Sequence, residues 1–397
     1  MDEFKKIFSG INRNVVVLGV VSLLTDLSGQ MVFPLLPLYI TTVLGGGAVA
    51  VGLVEGAAEA AASLLKVVSG YWSDKVKKRK PFVFFGYTLS ALMKPVLAFA
   101  GNWFAVLAIR ITDRVGKGLR DAPRDAIIAE SNDQATLGKA YGFNRALDGM
   151  GSVGGAVLAF LLLPIFGFVN LFKLAIIPGL ISVGVISLVK EPSVIKNVKK
   201  KNSLRFGFSQ LTRELKIFIL ITTVFTLGNY SYAFLMLRAQ ANGLSNEKTI
   251  MLYALFYLVY MFLSMRAGML SDKFGRKPII MAGYVIFTIL SLGLYLFGGL
   301  TYTVIAFILF GIFFALIDGA QRAFVSDLSP AEIKGTALGA FHTFTGLAAL
   351  PAGFIAGQLW TKVNPSATFL FGTIIGIISV SAFYLVLGRR GKKVASF

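Results

Sequence analysis

The amino-acid sequence predicts an all-α membrane protein in which twelve transmembrane helices form two pseudo-symmetric bundles of six. Three observations predict this fold class: long stretches without charge, basic residues that alternate between successive loops, and an internal repeat. Of the 397 residues, 56% are hydrophobic and 15% are charged, whereas soluble domains contain about 25% charged residues. A water-soluble globular domain is therefore not expected.

The stretches without charge predict the positions of the helices. A helix needs about 20 apolar residues to cross a hydrocarbon layer of ~30 Å. Five stretches reach this length, namely residues 27–54, 149–172, 217–237, 278–317 and 363–388. The stretch that begins at Pro278 is long enough for two spans, with a turn at Gly298 and Gly299. The predicted spans lie near residues 14–42, 49–70, 80–101, 103–124, 138–163, 169–189, 214–240, 248–268, 278–298, 301–323, 335–359 and 365–388.

The distribution of basic residues predicts the orientation. Lysine and arginine are concentrated in alternate loops, at residues 5–13, 75–80, 190–205, 273–277 and 389–393. The positive-inside rule then places both termini in the cytoplasm of a cell that carries the protein in its inner or plasma membrane. The net charge of +20 is explained by these loops, so no nucleic-acid partner is expected. Because the chain has no cysteine, disulfides, thiolate metal sites and cysteine nucleophiles are excluded.

An internal repeat predicts the domain organisation. The segments GYWSDKVKKRKP, from Gly70, and GMLSDKFGRKP, from Gly268, are 198 residues apart. The pair Gly29-Gln30 is repeated as Gly228-Asn229 at almost the same distance. Parallel repeats of this kind place a substrate cavity between two bundles. We therefore expect an N-terminal bundle over 1–190, a cytoplasmic linker over 191–212 and a C-terminal bundle over 213–397.

At these two segments the chain resembles the major facilitator superfamily, whose signature is G-x-x-x-D-[RK]-x-G-R-[RK]. The first copy departs from the signature at Lys77, where glycine is expected, and at Lys78, where arginine is expected. The resemblance implies gating residues, namely Gly70, Asp74 and Lys75 in the first copy and Gly268, Asp272 and Arg276 in the second. The glycines would let helices approach closely, and the carboxylates would form ion pairs that hold the cytoplasmic end shut. The alternative is that the loop charges only enforce topology.

A second resemblance concerns the direction of transport. The segment GFNRALDGMGSVGGA, from Gly142, is similar to the antiporter motif that drug exporters of the superfamily carry in span five. It departs from that motif at Ser152, where proline is expected. Export follows from this resemblance. The alternative is helix packing, because Gly151, Gly154 and Gly155 also form a small-residue contact face.

Ionisable residues inside predicted spans are candidates for proton coupling. A charge in the bilayer costs ~2.5–3.5 kcal/mol or more unless it is paired or hydrated, so such residues line a cavity or form a network. The candidates are Asp26, Glu55, Glu59, Asp113 and Arg114. Arg114 and Gly118 resemble a proton-transfer motif of exporters, although Arg120 and Asp121 depart from it, and a structural network is the alternative. The lone His342 is expected to be packed or hydrogen-bonded rather than to carry the proton.

Polar and aromatic residues at similar depth are candidates for substrate binding. They are Gln30, Lys94, Arg110, Asn229, Tyr232 and Tyr257. The symmetry of the repeat relates Gln30 to Asn229, while a related group of prokaryotic members implies glutamate at position 30. The tyrosines of spans seven and eight could line an amphipathic pocket, or they could simply pack or face lipid.

The sequence thus predicts a proton-coupled exporter of small amphipathic compounds that works by alternating access as a monomer. A proton-coupled carrier of an organic anion or phosphorylated metabolite remains open, and free rather than ion-paired arginines would favour it. A lipid or metal exporter is a further alternative. No nucleophile–base pair, cofactor motif or metal motif is found, so no enzymatic activity and no cofactor are expected.

Overall fold

A computed structural model describes residues 12–76, 78–132, 136–191, 211–297, 299–330 and 333–388. Most of the predicted linker and Gly298 of the predicted turn lie outside these residues. The described chain contains no β-strand. Its α-helices, numbered in order, are α1 (Arg13–Gln30), α2 (Leu35–Thr42), α3 (Ala48–Val76), α4 (Lys80–Val96), α5 (Trp103–Glu130), α6 (Leu137–Leu174), α7 (Ile176–Ile186), α8 (Arg213–Gly228), α9 (Tyr232–Ala241), α10 (Asn246–Phe274), α11 (Arg276–Leu296), α12 (Leu300–Asp327), α13 (Lys334–Lys362) and α14 (Pro365–Phe383).

Ten helical segments among the described residues are long and apolar enough to cross a membrane. They include most of the predicted spans and indicate a multi-pass membrane protein. Two differences from the prediction have a chemical cause. Helix α5 is not among the ten, because its charged residues lower its hydropathy, and one segment, Lys139–Ile186, covers two predicted spans. Within that segment Gly167 has φ +67° and ψ 175°, which interrupts the helix.

Local sequence signals explain where several helices begin. The side chains of Asn102 and Asn364 accept hydrogen bonds from the backbone N–H groups of Ala105 and Ala367, which caps α5 and α14. Between α10 and α11, Gly275 has φ +90°, a conformation in which other residues are strained. This explains the glycine at that position in the second copy of the motif.

The repeated Gly-Gln and Gly-Asn pairs mark two helix breaks. Helix α1 ends at Gln30 and the chain resumes as α2 at Leu35. The equivalent helix α8 ends at Gly228, and α9 begins at Tyr232. The break in the first span lies just before Leu35, and the repeat extends to the backbone conformation.

The chain separates into two compact units. Unit one contains residues 1–35 and 64–200, and unit two contains residues 36–63 and 201–397. The assignment differs from the predicted bundle boundaries in residues 36–63. The cause is close packing inside unit two, where the first half of α3 lies against α13. A Cβ atom built on Gly353 would lie 2.1 Å from the carbonyl oxygen of Gly52.

Glycine packing also joins α1 to α6 inside unit one. A Cβ atom on Gly151 would lie 2.3 Å from the carbonyl oxygen of Leu23, and one on Gly155 would lie 2.4 Å from that of Leu27. Backbone contact this close tolerates no side chain. The packing interpretation of the glycine-rich segment is therefore confirmed, which leaves its role in export as a prediction.

Candidate functional site

A cluster of buried charges lies in unit one, where α4 and α5 are in close contact. Gly86 and Gly116 face each other, since a Cβ atom on either would lie 2.6–2.7 Å from the carbonyl oxygen of the other. This approach buries long side chains between the helices. Lys94 and Arg110 each retain 1% of their exposure. Both were predicted to bind substrate.

Arg110 is engaged by a carboxylate on its own helix. Its Nη1 atom lies 3.2 Å from Oδ2 of Asp113, one turn away, and both side chains are buried. The guanidinium also lies 3.7 Å from the ring centroid of Phe33, whose ring is 5.2 Å from the guanidinium of Arg114. Phe33 belongs to the break after α1, so the break presents an aromatic face to two cations.

Lys94 has a different environment from Arg110. Its Nζ atom is buried and has no hydrogen-bond partner among the described residues. The charges that act on it are those of Asp113, Arg120, Asp26 and Arg110. A buried ammonium without a hydrogen bond is an unusual arrangement, because its desolvation is not compensated.

Asp26 lies in the same unit, on α1. The charges that act on it are those of Asp148, Lys117, Arg120 and Arg124. It therefore has a second carboxylate and several cations as neighbours. Glu55 and Glu59, which were predicted to act with Asp26, belong to unit two.

Arg120, which departs from the exporter motif, is part of the packing between α4 and α5. Its Nη1 atom donates to the hydroxyl of Ser90 at 2.6 Å, and its guanidinium lies 4.4 Å from the ring centroid of Tyr87. Arg124 donates to the hydroxyl of Ser22 on α1 at 3.1 Å. These contacts favour a structural role for Arg120 and Arg124.

Unit two contains a cavity of about 210 Å³. Helices α8, α12 and α13 supply most of its wall, and α3 contributes one carboxylate. The lining combines aromatic, hydroxyl, amide and charged groups: Glu59, Thr222, Phe225, Thr226, Asn229, Phe314, Ile317, Asp318, Gln321, Arg322, Phe341, His342 and Thr345.

The polar groups of this cavity differ in whether they already have partners. Asp318 lies 2.5 Å from Arg322 in an ion pair and accepts a hydrogen bond from the Tyr260 hydroxyl at 3.0 Å. The amide of Gln321 donates to the hydroxyl of Tyr284. Oδ1 of Asn229, by contrast, is buried and has no hydrogen-bond partner among the described residues.

The predicted tyrosines form a ring cluster beside Glu55, also in unit two. The hydroxyl of Tyr232 donates to Oε2 of Glu55 at 3.3 Å. The ring of Tyr253 lies 4.9 Å from that of Tyr232 and 5.1 Å from that of Tyr257. Packing of these rings is therefore confirmed. Tyr232 and Tyr257 remain partly exposed.

The repeated motif forms an equivalent ion-pair network in each unit. In unit one Arg79 pairs with Asp74 at 2.5 Å and with Glu130, at the end of α5, at 3.1 Å. Burial lowers the pKa of Arg79, but the hydrogen bonds and charges of Glu130 and Asp74 outweigh it and raise that pKa above its ordinary value. The arginine is therefore a permanent cation.

The network of unit two repeats this arrangement on α10, α11 and α12. Arg276 pairs with Asp272 and, at 3.1 Å, with Asp327. The predicted ion pairs of the two motif carboxylates are thus confirmed. Each network lies within one unit, where it ties the motif to the end of the helix two spans later.

Two details of the predicted gate are corrected. A Cβ atom on Gly268 would meet no described atom within 4 Å, and one on Gly70 would lie 3.4 Å from the Cβ of Ala122. The close approach expected at Gly268 is therefore wrong, whereas Gly70 lies in contact with α5. Lys75 is exposed, and the partner of Asp74 is Arg79.

Sequence reasoning missed several residues of these sites. Glu130 and Asp327 were not singled out, although both end a helix and are 197 residues apart, so the repeat could have identified them. Asp318, Gln321 and Arg322 lie on one face of α12, because they are three and four residues apart in a helix. No sequence signal indicated that Glu59 from α3 joins them, because that contact depends on packing between distant helices.

Among the described residues, no group of three or more histidine, aspartate or glutamate side chains is arranged to hold a metal ion.

Comparison with known proteins identifies relatives along almost the whole chain. A sequence model of the Major Facilitator Superfamily matches residues 18–237 and 217–396. An uncharacterized MFS-type transporter, MJ1317 of Methanocaldococcus jannaschii, is 43% identical over 378 residues, which cover 93% of this chain and 94% of the relative. The multidrug resistance protein MdtH of Yersinia pestis is 26% identical over 387 residues, with 93% of each chain covered.

Solved structures share the fold. A mutant of the nucleoside transporter NupG superimposes with a TM-score of 0.78 over 94% of this chain and 99% of that chain, at 15% identity. Identity this low carries information on the fold alone. The family match and the sequence relatives indicate a transporter and not an enzyme.

Proposed function

The chain belongs to the major facilitator superfamily, and from this premise we propose that it is a proton-coupled secondary transporter that exports small amphipathic compounds. The observation that carries the proposal is the buried charge cluster of unit one. Asp26, Lys94 and Asp113 are ionisable groups held inside helices that cross a membrane. Such groups are costly in a bilayer, and their presence there marks a pathway for substrate or protons.

The proposal includes twelve spans in two bundles of six, with both termini in the cytoplasm. Two additions to the ten apolar segments lead to this count. Helix α5 has 28 residues, which at 1.5 Å each is long enough to cross the ~30 Å layer. The 48-residue segment around Gly167 is more than twice as long as one crossing needs.

Asp26 is the proposed proton carrier, with Asp113 and Arg114 as coupled groups in unit one and Glu55 and Glu59 in unit two. A carboxylate that faces both a second carboxylate and cations changes its proton affinity when those neighbours move. Alternating access supplies that movement. The ion pair of Arg110 with Asp113 would then orient the cluster.

Export is favoured over import by the glycine-rich segment of α6 and by the distant similarity to MdtH. An anion carrier is disfavoured because two of the arginines that would receive the anion are already ion-paired. Arg110 already pairs with Asp113, and Arg322 pairs with Asp318. Export of a transition metal is disfavoured because the described residues offer no group of ligands for one.

The test uses everted membrane vesicles with an imposed pH gradient and a fluorescent amphipathic dye. We expect proton-driven dye accumulation from the wild type and none from Asp26→Asn, with the mutant still folded and still able to bind the dye. Glu247→Gln, on α10 and outside both sites, is the control and should behave as the wild type. Full pH-driven accumulation by Asp26→Asn would refute the role of Asp26.

A further inference from the structure

The cavity of unit two is lined by both apolar and polar groups. Phe225, Phe314, Phe341 and Ile317 contribute rings and an aliphatic side chain, while the remaining residues are polar or charged. A mixed lining of this kind fits a ligand with an apolar body and one polar end. A volume of about 210 Å³ suits a small ligand.

The charges of the lining determine the sign of that polar end. Three carboxylate or guanidinium groups reach the cavity, those of Glu59, Asp318 and Arg322. Asp318 and Arg322 neutralise each other at 2.5 Å. Glu59 has no ion-pair partner among the described residues, so one negative charge remains on the wall. An uncompensated carboxylate in a cavity of this kind attracts a cation and repels an anion.

The hydrogen-bonding groups lead to the same conclusion independently. Oδ1 of Asn229 lies at the cavity, is buried and has no partner among the described residues. This atom can only accept a hydrogen bond. One N–H of the Gln321 amide is already used by Tyr284. The buried, unsatisfied acceptor of Asn229 therefore favours a ligand that donates at that position.

We propose that this cavity binds the protonated amine of an amphipathic substrate, with Glu59 as its counter-ion and Asn229 Oδ1 as acceptor for one N–H. The aromatic rings hold the apolar body. An ammonium group is the chemical group that meets both demands, because it is cationic and donates up to three hydrogen bonds. The inference rests on the proposed function and assigns the class of compound that it carries.

The experiment compares phenethylamine, phenethyl alcohol and phenylacetate. All three have a phenyl ring on a short aliphatic chain, and they differ in whether that chain ends in an ammonium, a hydroxyl or a carboxylate group. Binding to the purified full chain is measured by calorimetry at one fixed pH. We expect phenethylamine to bind more tightly than both others. Because hydrogen bonds to a charged group are stronger than those to a neutral one, Glu59→Gln should weaken phenethylamine binding roughly tenfold or more and leave phenethyl alcohol unaffected.

Controls separate loss of the site from loss of the fold. Glu247→Gln removes a carboxylate that does not line the cavity and should bind phenethylamine as the wild type does. If Glu59→Gln does not fold, Asn229→Ala provides the second variant and should weaken the amine selectively. Equal phenethylamine binding by wild type and Glu59→Gln, preferred binding of phenylacetate, or no detectable amine binding would each overturn the inference.

The outcome is distinguishable from failure of the proposed function. Selective, Glu59-dependent amine binding without any proton-driven transport would support the cavity assignment and refute proton coupling. Proton-driven export of the dye without amine binding would do the opposite.

Discussion

Asp113 acts on two buried cations, but it hydrogen-bonds only one of them. Arg110 lies three residues before it on α5 and reaches it within one helical turn. Lys94 comes from another helix, and its Nζ atom has no hydrogen-bond partner among the described residues. The planar guanidinium also packs on Phe33, which a lysine ammonium does less well. The two cations therefore contribute differently to stability.

Exchange of each cation for methionine should show this difference. Lys94→Met removes a group whose desolvation is uncompensated, so the free energy of unfolding should stay the same or rise. Arg110→Met leaves Asp113 buried without its partner and should destabilise the protein by about 3–5 kcal/mol. Thermal unfolding of both purified variants, followed by tryptophan fluorescence, measures the effect.

The vesicle transport assay tests whether Lys94 has a role beyond stability. If Lys94 serves transport rather than folding, Lys94→Met should be stable and inactive in the vesicle assay. A lower melting temperature for Lys94→Met than for Arg110→Met would contradict the proposed difference.

At the residue scale the sequence predicted local partners better than distant ones. The Arg110–Asp113 spacing and the motif carboxylates were visible because helical periodicity places residues three or four apart on one face. Arg120 was interpreted as a departure from a motif, whereas the structure shows it bonded to Ser90. That contact depends on the close approach of α4 and α5, which no local pattern encodes.

Helix pairs in both units are joined where glycine or another small residue removes the side chain from the contact. In unit two the seam between α3 and α13 consists of four such contacts, at Gly52, Gly56, Gly346 and Gly357. The backbones touch there because no Cβ atom intervenes. This seam explains why the first half of α3 belongs to unit two.

Alanine at two glycines should have opposite effects. Gly353→Ala places a Cβ atom 2.1 Å from the carbonyl oxygen of Gly52, so the helices must separate, at a cost of about 1–3 kcal/mol for overpacking. Gly268→Ala places a Cβ atom where no described atom lies within 4 Å, and alanine is the better helix former by ~1 kcal/mol. Melting temperatures should fall for the first variant and stay equal or rise for the second. Equal destabilisation by both would refute the seam.

The sequence predicted the elements well and their assembly poorly. Hydropathy located the spans because the bilayer constrains each helix by itself. The cavity of unit two could not be foreseen, since it requires α8, α12 and α13 to meet a carboxylate of α3. The structure brings Asp318, Arg322 and His342 together in this cavity.

At the scale of the whole molecule the two halves share the same ion pairs at the motif, whereas their interiors differ. Asp74, Arg79 and Glu130 have equivalents in Asp272, Arg276 and Asp327. Inside the units the symmetry is lost, because unit one buries a charge cluster and unit two encloses an amphipathic cavity. Under the proposed function, unit one handles the proton and unit two the substrate.

The number of membrane crossings is the remaining whole-molecule prediction. The chain contains no cysteine, so single introduced cysteines can be labelled without a background. Twelve crossings place Gly101 and Asn170 outside the cell, and Lys78, Lys139 and Lys199 inside. Gly101 and Lys139 flank α5, while Lys139 and Asn170 flank the first part of the segment interrupted at Gly167.

We therefore expect an impermeant thiol reagent, applied to intact cells, to label cysteine at positions 101 and 170 but not at 78, 139 or 199. After permeabilisation all five should react, which is the control for accessibility of the thiol. Labelling of positions 101 and 139 from the same side would show that α5 does not cross, because its charged residues would then have kept it out of the bilayer. Labelling of position 199 only from outside would reverse the orientation that the basic loops predict.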